Sequence, residues 1–180
     1  MNKTKRSILE ILLFVFAVII DRITKIWAVQ TLMDRPAIPI IQNIVEFYYL
    51  PSGNTGAAFG MLKGHQALFL IIGLIVVLVI GFILYNMPSD KKFTVINVLL
   101  VLIAAGGVGN MIDRFIQNYV VDFIYISCIN FPIFNVADIY VSVSTVILAI
   151  YILFILKEKD YIQIEEAVRK PLSKLLKKNK

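Results

Sequence analysis

Two long apolar runs, residues 67–86 and 138–156, constrain this chain more than any other feature of it. About 20 helical residues cross the hydrocarbon core of a bilayer, and each run has that length with almost no polar interruption. Because lipid offers the backbone no hydrogen-bond partners, such a run spans as a helix. A third segment, residues 93–111, is apolar as far as Val108 and ends in the small-residue stretch AAGGVG, which lets helix backbones approach closely. The first candidate, residues 8–29, is harder to read, because the apolar run from Ile8 to Ile20 is short and already contains Glu10. It reaches spanning length only by continuing through Asp21, Arg22 and Lys25, and charges at membrane depth face a protein interior or a wet cavity. The basic and then apolar amino terminus superficially suggests a cleavable leader. DRITK stands where a small-x-small cleavage site would be, so the segment reads as a retained first span.

The expectation is therefore an all-α integral membrane protein of four spans, one domain over residues 1–180. Apolar residues make up 59% of the chain, which excludes an ordinary soluble domain. The net charge of +6 invites a nucleic-acid reading, but 13 of the 18 lysines and arginines lie in the amino terminus, the loop before Phe93 and the tail from Lys157. Those segments share one side of a four-span protein, so the charge writes topology: both termini face the cytoplasm and residues 30–66 and 115–137 form outer loops. IPIIQNIVEFYYL, before the turn signal PSGN, has the partial alternation of a short strand or small sheet. The tail, residues 157–180, suits an amphipathic stretch on the anionic inner surface or, equally, a solvated tail. Cys128 and His65 are each the only residue of their kind, which leaves no internal disulfide and no cysteine- or histidine-rich metal cluster.

This topology gathers Asp21, Lys25, Asn54, Asn110, Asp113, Arg114, Asp122, Asn135 and Asp138 near the outer boundary. Asp21 and Lys25 are one helical turn apart and neutralise each other, Asn110 and Arg114 share that spacing, and Asp113 has Arg114 beside it. Asp122 and Asp138 lack a cation nearby in sequence. If residues 123–137 fold back and bring them together, the two carboxyls share one proton, and such a pair performs general acid and base catalysis on a peptide bond. The structural alternatives are a helix N-cap for Asp138 and a turn role for Asp122. Nucleophilic catalysis has no support, since no serine sits in a GxSxG setting. The rival class is a small ion- or proton-coupled transporter subunit, although the chain shows no internal repeat.

DRITK, NTGAAFG, GGVGNMIDR, VVDF and FNVAD occur in that order between Asp21 and Asp138. Together they resemble the lipoprotein signal peptidase (signal peptidase II) family. The resemblance implies an aspartic endopeptidase of the bacterial cytoplasmic membrane, its site toward the outer face, without metal or cofactor. Its substrates would be prolipoproteins, cut just before a cysteine that carries a diacylglyceryl group, with membrane lipids and no nucleic acid as further partners. The matching catalytic residues are Asp122 and Asp138. Asn54, Asn110, Arg114 and Asn135 would line or brace the site, Asp21, Lys25 and Asp113 would support it, and the first outer loop would form a small β-sheet cradle.

Overall fold

The computed structural model describes residues 2–50, 53–54 and 66–178. His65, Lys63, the first half of PSGN and all of NTGAAFG after Asn54 lie outside the described residues. Helix α1 (Lys3–Leu32) is followed by strands β1 (Ile38–Ile41) and β2 (Val45–Phe47), helices α2 (Gln66–Asn86) and α3 (Thr94–Gln117), strand β3 (Ile124–Ile126), and helices α4 (Val136–Phe154) and α5 (Glu158–Lys178). Three of these stretches are long and apolar enough to cross a membrane: α2, the 27 residues Lys91–Gln117 that contain α3, and α4. α1 is one unbroken helix of 30 residues, about 45 Å at 1.5 Å per residue, but its charges keep it out of that set. Among the described residues, three stretches thus meet that criterion where the sequence suggested four spans.

α3 is the central helix, packed against α1, α2 and α4. Its burial explains the small-residue stretch, because a methyl group on Gly106 would lie 2.5 Å from the Ala137 carbonyl oxygen and one on Gly109 would overlap the Asp21 carboxylate. Two neighbouring helices therefore reach α3 through glycines four and one residues before Asn110. α1 turns one narrow stripe inward, Arg6, Ala17, Asp21, Lys25, Ala28 and Leu32, at the spacing that keeps side chains on one helical face. Many of its other apolar residues, among them Ile8, Leu9, Ile11, Leu12, Phe16, Ile19 and Ile23, are exposed, as in a helix that borders lipid.

The expected small sheet is present and has three antiparallel strands in the order β1-β2-β3. β3 comes from FIYIS, well after the first two strands in sequence. Trp27 of α1 fixes this sheet to the helices, its ring edge-on to Phe47 at 5.0 Å and to Phe123 at 6.0 Å between centroids. Ala28, Leu32, Tyr49, Val121 and Phe123 complete a buried cluster beneath the sheet.

The other end of the bundle is organised by Arg6. Its guanidinium donates to the carbonyls of Met87 and Pro88 at 2.8 Å and of Leu84 at 3.1 Å. One cation thus satisfies carbonyls that the end of α2 leaves without helical donors. Glu10 balances it at 3.3 Å and accepts from Asn97 at 2.8 Å, which accounts for an acid inside the apolar run of α1.

Candidate active site

Residues 123–137 fold back on themselves. Phe134 is bonded to both faces of the turn: its carbonyl accepts from Phe123 and Ile124 at 3.0 and 2.8 Å, and its N–H donates to Ile124 at 3.0 Å. This closure carries Asn135 alongside Asp122, and α4 begins immediately afterwards.

Asn135 is the N-cap of α4, and its side-chain oxygen accepts the Asp138 N–H at 3.0 Å. Asp138 answers at the third helical position, its Oδ2 accepting the Asn135 N–H at 3.1 Å. This is a capping box, so the N-cap role, the structural alternative for Asp138, falls to Asn135 instead. The Asn135 side-chain amide remains, and it donates to Asp122 Oδ1 at 2.7 Å. A single residue is therefore hydrogen-bonded to both carboxyl groups. Asn54 holds the second Asp122 oxygen at 2.8 Å, while its own backbone pairs with Val120 in both directions, at 3.0 and 2.9 Å. The loop stretch around Asp122 is thereby tied to the chain that follows β2.

Asn110 links this pair to the charges on α1. Its side-chain oxygen accepts from Lys25 at 2.8 Å and from Asn135 at 3.1 Å, and its amide nitrogen donates to Asp138 Oδ1 at 2.8 Å. An ammonium only donates, so Lys25 fixes which end of the Asn110 amide faces Asp138. Lys25 also pairs with Asp21 at 3.0 Å and with Asp113 at 2.9 Å. The i,i+4 pair read from sequence is thus part of a larger network. Asp21 reaches across to accept the N–H of Ala137 at 3.1 Å, placing an anion at the N-terminus of α4.

Asp113 pairs with α1 as well, through Arg22 and Lys25, and accepts the Val121 N–H at 3.2 Å. The sequence suggested Arg114 as its counter-ion, but consecutive helical residues leave the axis about 100° apart. Arg114 lies 4.7 Å over the Phe69 ring, and its field reaches Asp138 and Asp122. The carboxyl pair is therefore within range of cations that sequence distance concealed. The part played by Arg22 was also missed, because it depends on how α1 meets α3. Tyr119 was missed too: its ring covers Gly53, which adopts a φ of +62°, and its hydroxyl meets that of Tyr49 at 3.4 Å. A side chain on Gly53 would be strained there and would overlap the ring.

Asp122 and Asn135 are both essentially inaccessible, at 1% and 0% exposure. Burial first, and the negative charge of Asp138 second, push the Asp122 carboxyl from its ordinary 3.8 up to about 7, against the lowering effect of Asn54 and Asn135. The arrangement can therefore keep a proton on one carboxyl of a close pair near neutral pH.

Residues 13–154 match the family model for signal peptidase (SPase) II. The chain belongs to the signal peptidase II family. The lipoprotein signal peptidase of Clostridium tetani (strain Massachusetts / E88) is 40% identical over 85% of this chain and 96% of its own length. That of Streptococcus pyogenes serotype M5 (strain Manfredo) is 38% identical over the same shares of the two chains. Two solved structures described as bacterial membrane enzymes, determined by the in meso method, are also similar. The one at 1.9 Å resolution is 30% identical, with a TM-score of 0.71 over 82% of this chain and 94% of its own. The one at 2.3 Å is 32% identical, with a TM-score of 0.67 over 81% and 87%. Membership of the signal peptidase II family makes the chain a peptidase, and its apolar helices make it a multi-pass membrane protein. The transporter alternative draws no support from these relatives.

Proposed function

We propose that this chain removes the signal peptide of prolipoproteins as an aspartic endopeptidase, with Asp122 and Asp138 as its catalytic pair. The observation that carries the reading is Asn135, bonded to both carboxyls at 2.7 and 3.1 Å. In this reading Asp122 is the protonated member, and Asp138, the acceptor of the Asn110 amide and of the Asn135 N–H, is the general base. It takes a proton from water as that water attacks the scissile carbonyl carbon. Asp122 gives its proton to the carbonyl oxygen, and the tetrahedral intermediate collapses as the amine leaves with a proton returned from the pair. Asn54, Asn110, Arg114 and Asn135 line or brace the site, and Asp21, Lys25 and Asp113 support it through α1. The substrate would be cut just before a diacylglyceryl-modified cysteine, its lipid chains remaining in the bilayer. α1 serves as a fourth span, the membrane is the cytoplasmic one, and the site faces outward.

The test is cleavage of a diacylglyceryl-modified precursor by the purified protein in lipid. Asp122→Asn and Asp138→Asn are each expected to lower turnover by at least about 10⁴-fold, the scale lost with an essential catalytic group, while thermal unfolding remains cooperative. Full activity in either variant removes that aspartate from the pair. Activity lost to EDTA and restored by zinc would replace the mechanism with a metal-dependent one.

A further inference from the structure

Asp122 accepts from the amides of Asn54 and Asn135, and the two donors are held in different ways. Asn135 is the N-cap of a long helix. Asn54 stands in the chain that follows β2, and it reaches Asp122 Oδ2 at 2.8 Å because that chain runs antiparallel to residues 119–123. Tyr48 donates its N–H to the Phe123 carbonyl at 2.9 Å and Leu50 to that of Asp122 at 3.3 Å. Gly53 then donates back to the Leu50 carbonyl at 2.9 Å, and Asn54 exchanges its two backbone bonds with Val120. Asn54 thus follows directly on a turn, and its amide stays on Asp122 only while that turn keeps its place.

The side chain that seats the turn is Tyr119. A methyl group on Gly53 would lie 2.5 Å from Cγ of its ring, so glycine lets the ring rest directly on the backbone beside Asn54. The ring is itself fixed. Asn118, left-handed at a φ of 63°, ends α3 and turns the chain toward it, and Gln117 donates to the Tyr119 carbonyl at 3.4 Å. Tyr119 also packs against the buried cluster of Leu32, Tyr49 and Phe123 beneath the sheet. The ring therefore joins the core to the turn that carries Asn54.

We propose that Tyr119 is a positioning residue for the peptidase reaction: its ring, seated on Gly53, holds the Asn54 amide on Asp122. The inference rests on the reading of Asp122 as the protonated member of the pair. An amide that donates to a carboxyl favours the ionised form, so Asn54 opposes the upward push of burial and of Asp138 on Asp122. With the ring removed, Asn54 withdraws and Asp122 keeps its proton to a higher pH. Asp138 on α4, Lys25 on α1 and Arg114 on α3 also act on Asp122, and all three are retained in every variant below.

The test titrates Asp122 in the full chain in lipid nanodiscs, by NMR of its labelled carboxyl carbon, assigned as the signal absent from Asp122→Asn. Tyr119→Ala is expected to raise the midpoint by about one pH unit, the scale of one hydrogen bond to a charged group. Tyr119→Phe keeps the ring and is expected to titrate as the parent does. Asn54→Ala should give the same rise as Tyr119→Ala, and the two combined should give no more than either alone. An unchanged midpoint in Tyr119→Ala would overturn the proposal, as would a rise that adds to that of Asn54→Ala or one equally large in Tyr119→Phe. If Tyr119→Ala does not unfold cooperatively, Tyr119→Leu takes its place with the same expected rise, since leucine fills the buried side without the flat ring. The descending limb of cleavage against pH is expected to move with the midpoint. A midpoint that moves while that limb stays would remove Asp122 from the catalytic pair and leave the hold of Tyr119 on Asn54 standing.

Discussion

Asn135 cannot titrate, yet its backbone and side chain together decide where two carboxyls meet. Its amide donates to Asp122 and its N–H to Asp138, so the pair is held by neutral donors rather than by the charges nearest in sequence. Asp122 then carries the pH dependence. Its carboxyl is pushed from 3.8 up to about 7 by burial and by Asp138, so between those values the folded state binds a proton that the unfolded state has lost. Stability from this group is complete below about pH 4 and disappears as pH rises through about 7, by about 4 kcal/mol at 1.36 kcal/mol per unit. Asp122→Asn removes that slope. Its melting temperature is expected to gain on the parent's from pH 4 to pH 7 and then to hold a constant lead. A pH-independent difference would contradict the assigned proton. In the parent, cleavage is expected to decline above about pH 7 as the pair loses the proton it donates. At this scale the sequence was informative about residues paired within one element. Asp21 and Lys25 meet because they are four apart on a helix. Arg22 with Asp113, and Asp21 with Ala137, depend on how α1 docks, and no spacing encodes that.

α3 carries the site because it is thin where its neighbours cross it. Gly106 admits the start of α4 and Gly109 admits Asp21 of α1, while Gly107 and Gly81 have no such duty: a methyl group on Gly107 would meet Val77 at 3.8 Å, and one on Gly81 would meet nothing within 4 Å. Gly106→Ala must displace a backbone carbonyl two residues from Asn135 and one from Asp138. It is expected to cost about 1–3 kcal/mol as overpacking does, and to lower turnover because it shifts the capping box. Gly107→Ala should leave both unchanged or raise stability by up to about 1 kcal/mol through helix propensity. Thermal unfolding and precursor cleavage of the two variants side by side check this, and equal effects would refute the packing argument. Small residues at the end of α3 were legible as a site of close helix approach. Which glycine meets which neighbour was not, since that requires the crossing points. The sheet shows the same division. Partial alternation in IPIIQNIVEFYYL signalled the first two strands, but FIYIS was not read as a strand, and pairing β2 with β3 across α2 and α3 needed the tertiary fold.

The molecule as a whole is polarised, with the sheet and the carboxyl pair at one end of the helices and Lys3, Arg6, Lys91, Lys92 and the start of α5 at the other. Helix α1 reaches from one to the other, with Arg6 on the carbonyls that end α2 and Lys25 in the network of Asn110 and Asp138. Much of its apolar surface is exposed, as is that of α2 and α4. Arg6, Glu10, Asp21, Arg22 and Lys25, charges that exclude it from a hydropathy count, are paired, so they cost far less in a bilayer than unpaired ones would. A pattern of apolar residues alone cannot report that compensation, which is why the first segment was the hardest to read and the interior apolar runs the easiest. If α1 spans, the polarity becomes topology: the basic end faces the cytoplasm and the carboxyl pair faces outward, where an exported precursor presents its cleavage site. Single cysteines introduced in a Cys128→Ser background distinguish the ends. Asn130, in the loop beyond β3, is expected to react with a membrane-impermeant maleimide on intact spheroplasts, and Asp90, between α2 and α3, only after permeabilisation. The reverse pattern would invert the orientation. Reaction of both sites on intact spheroplasts would mean that α3 does not separate two compartments, leaving the three apolar helices without the spanning role their length implies.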